Sequence, residues 1–229
     1  MIADTSRIHF VLVAGFSSDH KESYGLKHVL LNLGYSAYAV SFYGKDYQDD
    51  FTHITKAECI QNLTDYINDC CAQYDEVYGI GISLGGALLL EHAKTHTNLK
   101  GIVSIGTPFK LKHRWLISIA DFLLPVIYPL WRRLQKIKRL RITPIGAGKE
   151  MVGYMENEFL QNLDRIETPV LFLQSKKDSV TDWHTLETNI TKIKSPIKEI
   201  EYFTNGSHVI DHDPALVTEM ALKFLKKLS

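Results

Sequence analysis

Six short hydrophobic runs, rich in β-branched and aromatic residues, alternate along this chain with stretches of helical pattern. Most of the runs are almost continuously apolar, as a parallel strand covered on both faces requires. We predict strands at residues 8–14, 36–42, 76–82, 100–106, 169–175 and 197–203, and helices near residues 22–34, 55–73, 84–96, 182–194 and 214–228. This alternation predicts an α/β fold with a doubly wound, mainly parallel sheet, in which function gathers at the carboxyl ends of the strands.

One long segment breaks the alternation, because no strand is apparent between Thr107 and about Asp164. We predict that residues 1–106 and 165–229 form the core and that residues 107–164 form a helical cap insertion above the sheet. The apolar part of this segment is too short to span a bilayer and is interrupted by Asp121, Pro125 and Pro129.

The same segment carries a strong charge asymmetry, although the chain as a whole has a formal net charge of zero. Ten Lys and Arg side chains lie between Thr107 and Lys149, against the single acid Asp121. A basic amphipathic helix over residues 132–141 beside an apolar aromatic stretch is typical of a segment that lies on an anionic membrane. The alternative is a simple lid, apolar beneath and basic towards water. The aromatic residues lie in an aliphatic run, which argues against a nucleic-acid partner.

The chain start has no basic region followed by an apolar one, so we expect no signal peptide. The three cysteines, Cys59, Cys70 and Cys71, have no metal-binding spacing, and we interpret them as reduced thiols. These features predict a cytoplasmic protein, and the basic segment adds the option of a peripheral position at the membrane.

The motif with the clearest chemistry is Gly81-Ile82-Ser83-Leu84-Gly85, which ends the third predicted strand and opens a helix. A nucleophilic serine needs this strand-to-helix turn, because the turn holds it in a strained conformation at the edge of the sheet. The structural alternative is an ordinary glycine-rich turn.

Serine becomes a strong nucleophile only when a base takes its proton. The loop after the last strand contains His208, and the loop after the fifth strand contains Asp178. Strand placement therefore predicts Ser83 as nucleophile, His208 as general base and Asp178 as the acid that orients it. Two alternatives remain: His212 as the base, and Asp182, which looks more like a helix N-cap, as the acid.

An oxyanion formed on the substrate needs two backbone donors. We predict the amide of Leu84, directly after the nucleophile, and the amide of Phe16, in the loop after the first strand. That loop could also be an ordinary tight turn.

These motifs resemble those of the α/β-hydrolase superfamily, in its bacterial carboxylesterase and monoacylglycerol-lipase-like branch. The segments that carry the resemblance are VLVAGFS (11–17), GIGISLGGA (79–87), QSKKD (174–178) and SPIKEIEYFTNGSHVI (195–210). Two departures concern loops: Ala14 replaces the family's usual histidine before the Gly-Phe pair, and Tyr43-Gly44-Lys45-Asp46 replaces its usual Gly-His-Gly. The resemblance implies hydrolysis of short or medium acyl esters without a metal or organic cofactor, and a cap over the acyl pocket.

The sequence therefore predicts a serine hydrolase that cleaves small acyl esters or monoacylglycerol-like lipids through an acyl-enzyme. Two other functions fit the same motifs. A thioester could enter the same site, and an α/β-hydrolase core could instead bind a ligand or lipid without turnover.

Overall fold

The computed structural model describes residues 5–15, 23–40, 55–112, 153–155, 157–203, 208 and 214–228. The strands are β1 (Ile8–Val13), β2 (Ser36–Val40), β3 (Glu76–Ile82), β4 (Gly101–Ile105), β5 (Val170–Ser175) and β6 (Lys198–Phe203). The helices are α1 (Tyr24–Asn32), α2 (Lys56–Gln73), α3 (Leu84–Ala93), α4 (His184–Ile190) and α5 (Pro214–Leu225). All six predicted strands are therefore present, and their described ends agree with the prediction to within one residue.

The six strands form one parallel sheet in the order β2-β1-β3-β4-β5-β6. Side chains alternate across it: Val11 and Val13 of β1 join the core under α2 and α3, while Phe10 and Leu12 join the core under α1 and α5. Helices thus cover both faces, and the predicted doubly wound α/β fold is confirmed. The arrangement explains why β1, β3, β4 and β5 are apolar on both sides, whereas the edge strand β6 carries charged residues.

Local sequence sets where the helices begin. Thr55 caps α2 through a capping box, in which its hydroxyl accepts from the Glu58 amide and the Glu58 carboxylate accepts from the Thr55 amide. Helix α5 begins at Pro214, where a missing amide hydrogen costs nothing.

The predicted start of α4 is wrong by one residue, since its N-cap is Trp183 and not Asp182. The amide of Asp182 still donates to the Lys110 carbonyl at 2.8 Å, in an extended pairing. Helical geometry therefore begins only after this pairing has ended.

Part of the segment between β4 and β5 is described. Its last residues pack into the core beside α2 and α3, through Tyr154, Met155, Phe159 and Leu163. The predicted apolar and basic stretch, residues 115–141, lies outside the described residues, so the cap stays a prediction. In the part of the chain that the structure describes, no helix is both long and apolar enough to cross a membrane.

Candidate active site

Ser83 lies at the sharp turn between β3 and α3, with φ of 52° and ψ of −118°. A positive φ is uncommon for a residue with a side chain and marks stored strain. All six strands of the parallel sheet end at the edge where this turn lies, and Ser83, Asp178 and His208 follow β3, β5 and β6.

Glycine is required on both sides of Ser83, because backbone segments approach Gly81 and Gly85 too closely to leave room for a side chain. A Cβ at Gly81 would lie 2.4 Å from the amide nitrogen of Gly86, and a Cβ at Gly85 would lie 2.3 Å from the carbonyl oxygen of Val13. Any side chain at these two positions would push α3 away from β3 or from the end of β1. The glycine spacing of the motif therefore has a steric cause.

The end of β4 supports the strained turn. The Ser83 amide donates to the Ile105 carbonyl at 2.6 Å, and the Thr107 hydroxyl donates to the Ser83 carbonyl at 3.2 Å. Thr107 is held in turn by a 2.5 Å hydrogen bond with the buried Ser104 hydroxyl. Both backbone polar groups of Ser83 are thus tied to the neighbouring strand.

His208 lies between Ser83 and Asp178. Its Nε2 is 2.8 Å from the Ser83 Oγ, and its Nδ1 is 2.9 Å from Asp178 Oδ2 and 3.1 Å from Oδ1. Because an ionised carboxylate only accepts hydrogen bonds, Nδ1 carries the proton and Nε2 is left to accept the serine proton. The imidazole is 15% exposed, whereas the Asp178 side chain is fully buried. The structure therefore brings the three sequence-predicted residues into one hydrogen-bonded chain.

The carboxylate of Asp178 is held ionised by its donors. Its burial alone would raise its pKa, but hydrogen bonds from His208 and from the amide and hydroxyl of Thr181, with the charge of His208, outweigh burial and bring the pKa well below its usual value. The amides of Val180 and Thr181 both donate to Oδ1 at 2.8 Å. Asp178 can thus stabilise a positively charged imidazole.

Asp182, the alternative acid, has a different partner. Its carboxylate hydrogen-bonds His184 Nδ1 at 3.1 Å, in an exposed setting. His212, the alternative base, lies outside the described residues.

The predicted oxyanion donors are described only in part. Leu84 is the first residue of α3, so its amide belongs to the group that has no acceptor inside the helix. The positive end of the helix macrodipole also favours an anion at this place. Phe16 lies outside the described residues. The end of β1 nevertheless lies against the start of α3, since a Gly85 Cβ would approach the carbonyl oxygens of Val13 and Ala14 within 2.6 Å.

Four residues at the site were not identified from sequence. Gln174 and Thr181 donate to Asp178, Lys112 Nζ donates to the Asp178 carbonyl at 2.6 Å, and Gly106 packs against His208. A Cβ at Gly106 would lie 2.6 Å from the His208 carbonyl oxygen, and its φ is +58°. The sequence signal for Gly106 was its place at the end of a strand, and Gln174 lies in the segment QSKKD (174–178), whereas Thr181 and Lys112 carry no motif.

Residues 110–112 pair with the loop that follows Asp178. The Lys112 amide donates to the Val180 carbonyl at 2.7 Å, the Asp182 amide donates to the Lys110 carbonyl, and Leu111 forms an antiparallel bridge with Thr181. The loop that carries the acid is thereby fixed on the side of β4. Within the described ranges, no group of three His, Cys, Asp or Glu side chains could hold a metal ion.

Lipases and esterases are among the known proteins that this chain resembles in sequence and structure. The sequence matches no established family profile. It is 25% identical to a thermostable monoacylglycerol lipase of Bacillus sp. (strain H-257), over 98% of this chain and 93% of that protein. The monoacylglycerol lipase of Paleococcus ferrophilus has a similar structure, with a TM-score of 0.68 at 20% identity over 97% of this chain and 94% of that one.

Two further structures extend the comparison. One, from a study of the metagenome-derived lipolytic enzymes LipS and LipT, has a TM-score of 0.77 at 20% identity and covers 97% of this chain and 95% of its own. The other, BpoC from Mycobacterium tuberculosis, assigned as a non-heme bromoperoxidase, has a TM-score of 0.76 at 15% identity over 96% and 92% of the two chains. The fold is thus shared with proteins of more than one named activity. On sheet order, turn geometry and these similarities, the chain has the α/β-hydrolase fold and is similar to the carboxylesterase and monoacylglycerol-lipase-like branch of that superfamily.

Proposed function

We propose that this protein is a carboxylic-ester hydrolase that works through an acyl-enzyme. Ser83 Oγ attacks the acyl carbon while His208 Nε2 takes its proton, and the amides of Leu84 and Phe16 bind the oxyanion. His208 returns the proton to the leaving alcohol as the C–O bond breaks. A water that gives its proton to His208 then attacks the acyl-enzyme, and the acid is released as Ser83 recovers its proton.

The observation that carries this proposal is the 2.8 Å contact between Ser83 Oγ and His208 Nε2, with Asp178 on the opposite nitrogen of the ring. The two neighbours of the imidazole suit the proton transfer: Ser83 donates a proton to one nitrogen, and Asp178 accepts a hydrogen bond from the other. The carboxylate stabilises the imidazolium that forms when the serine proton moves, and it fixes the tautomer that leaves Nε2 free to accept.

A second serine–histidine contact shows why distance alone is insufficient. His9 Nδ1 lies 2.8 Å from Ser36 Oγ, but the Ser36 hydroxyl donates to Tyr74 at 3.0 Å. The serine proton therefore points away from the imidazole. Burial also lowers the pKa of His9 to about 4, so this histidine is a poor base.

For the substrate, we propose short or medium acyl esters, including monoacylglycerol-like lipids, because the similar proteins include monoacylglycerol lipases over nearly the whole chain. A thioester presents the same acyl carbon to Ser83 and is the alternative substrate. No step of the proposed reaction requires a cofactor, because the chain supplies the nucleophile, the base and the donors.

We also propose that residues 107–164 form a cap over the acyl pocket, and that its basic residues allow peripheral contact with an anionic membrane. The described end of this segment packs on the core through Phe159 and Leu163, which would anchor such a cap. We further propose that the protein acts in the cytoplasm with its three cysteines as reduced thiols, as their lack of a metal-binding spacing predicts.

The test is covalent labelling with a fluorophosphonate probe, which reacts with activated serines. We expect the probe on Ser83, and we expect Ser83→Ala to lose both labelling and hydrolysis of p-nitrophenyl esters. Ser36→Ala is the matched control, because it removes a serine at the same distance from a histidine; it should label and hydrolyse as the wild type does.

Labelling of another serine, or activity that survives in Ser83→Ala, would contradict the proposal. A panel of p-nitrophenyl esters of increasing chain length, a monoacylglycerol and an acyl-CoA then separates ester from thioester preference. A protein that neither labels nor turns over any of them is a binding protein.

A further inference from the structure

Gln174 is the last but one residue of β5, and its side chain reaches the carboxylate of Asp178. Its Nε2 lies 2.9 Å from Asp178 Oδ2, 3.3 Å from Thr181 Oγ1 and 3.2 Å from the Ser175 carbonyl oxygen. The residue is 2% exposed. All three neighbours of the amide nitrogen can accept, so the amide can only present its NH₂ group to the acid.

Apart from His208, the donors to the Asp178 carboxylate divide into two kinds. The amides of Val180 and Thr181 and the Thr181 hydroxyl belong to the loop of the acid itself and move with it. Gln174 donates from the strand, four residues before the acid. It therefore ties Oδ2 to the sheet, which the local turn cannot do.

The oxygen that Gln174 contacts is the one nearest to the imidazole. Oδ2 accepts from His208 Nδ1 at 2.9 Å, from Thr181 Oγ1 at 2.7 Å and from Gln174 Nε2 at 2.9 Å. Rotation of the carboxylate about its Cβ–Cγ bond would break the Gln174 contact together with the other two. The amide also withdraws charge from the oxygen that faces the base.

We propose that Gln174 is a positioning residue, which holds Asp178 Oδ2 against His208 and moderates its charge there. The inference rests on the proposed function, since it assigns Gln174 a part in activating Ser83 through His208. Two ionisable side chains in the described structure hydrogen-bond to Asp178: His208, at the carboxylate, and Lys112, at the backbone carbonyl.

The principal variant is Gln174→Met, which keeps the shape of the side chain and removes the donor. We expect kcat for p-nitrophenyl butyrate to fall about tenfold, as for a lost hydrogen bond to a charged group, with KM unchanged because Gln174 is buried and contacts only the acid and its loop through its amide nitrogen. More charge on Oδ2 favours the protonated imidazole, so the acidic limb of the kcat/KM profile should move to higher pH. The proton resonance of His208 Nδ1 should also shift in the ¹H NMR spectrum.

A second variant, Gln174→Glu, keeps the length and makes the donor depend on pH. When the introduced carboxyl group is protonated it donates to Asp178, whereas two ionised carboxylates at this distance repel each other. We expect near wild-type kcat at the acidic end of the profile and a new loss as pH rises. The new charge changes the profile in either case, so the result that supports a donor role is a higher kcat for Gln174→Glu with its carboxyl group protonated than for Gln174→Met at the same pH; equal values indicate a role confined to packing.

Asn189→Leu is the matched control. Asn189 is a buried amide on α4 whose Nδ2 donates to the Thr185 carbonyl at 2.8 Å, away from Asp178. It should lose stability without any change in the pH profile or in the His208 resonance.

The NMR measurement uses the resting protein and needs no turnover. If wild-type Ser83 is not labelled by a fluorophosphonate, the proposed function fails, and the His208 resonance alone decides for or against Gln174. If Ser83 is labelled while Gln174→Met keeps its kcat, its pH profile and its resonance, the role of Gln174 is overturned and the proposed function stands.

Discussion

His92, on the helix that follows Ser83, should make the protein less stable in mild acid. Its imidazole is 1% exposed, its Nε2 lies 2.8 Å from Asn98 Oδ1, and its Nδ1 lies 3.1 Å from Thr64 Oγ1. A neutral ring satisfies both contacts, with Nε2 donating and Nδ1 accepting. Burial lowers the pKa of His92 to about 4, with repulsion from the stacked His96 in the same direction and the Asn98 hydrogen bond opposing them.

The direction in which folding stability changes with pH follows from proton linkage. The pKa of His92 in the folded state lies below its ordinary value of 6.5, so the unfolded chain takes up a proton first as the pH falls. Stability is therefore lost from about pH 6.5 down to about pH 4, below which both states are protonated. Between pH 7 and pH 5 the loss from His92 amounts to about 2 kcal/mol.

The measurement is the free energy of unfolding in urea at both pH values, followed by circular dichroism. His92→Gln, which cannot titrate, should lose about 2 kcal/mol less than the wild type between the two pH values. His184→Gln is the control, because the His184 side chain is 69% exposed, and it should lose as much as the wild type. If His92→Gln loses as much stability as the wild type, the reasoning is refuted.

Two more predictions concern the acid and the basic segment. Asp178→Asn should lower kcat by orders of magnitude, as in serine proteases that lose the orienting carboxylate, while Asp182→Asn should keep near wild-type turnover; reversed effects in ester hydrolysis would make Asp182 the acid. The protein should sediment with anionic vesicles and not with neutral ones, and salt should release it, because each basic residue near such a surface contributes about 1 kcal/mol. Glutamine at five basic positions should abolish sedimentation and spare turnover of a soluble ester: Arg132, Arg133, Lys136, Arg139 and Arg141. If the wild-type protein stays in the supernatant with anionic vesicles at low salt, the membrane hypothesis is wrong and the segment is only a lid.

The fold could be predicted because most of its strands are buried on both faces, although β6 at the edge of the sheet is not. Such strands read as continuous apolar runs, and the parallel order follows from the helices between them. Ser83, Asp178 and His208 could be predicted from the glycine motif and from position, since each lies in the turn or loop after a strand and parallel strands end at one edge. Their contact is a consequence of topology more than of local sequence.

The support of the acid could not be predicted in the same way. Gln174 occurs at the end of an apolar run, where a buried polar side chain gives no periodic signal. Its partner, Asp178, is brought against it only because the loop after β5 turns back on that strand. The start of α4 was misplaced because the pairing of Asp182 with Lys110 joins residues far apart in the sequence. For Phe16 and the basic segment, the prediction falls outside the described residues and stays a prediction.

The strain at Ser83 indicates how the site is stabilised. A non-glycine residue at positive φ costs on the order of 1–3 kcal/mol, and such a residue persists only where its surroundings hold it. Here the Ser83 amide donates to Ile105, and its carbonyl accepts from Thr107 and from the Gly86 amide at 3.1 Å. Relaxing φ would break these hydrogen bonds together and leave buried polar groups unpaired, at about 1–3 kcal/mol for each. The strained conformation is therefore the lower-energy one within this sheet, and it keeps Ser83 Oγ directed at His208 before any substrate binds.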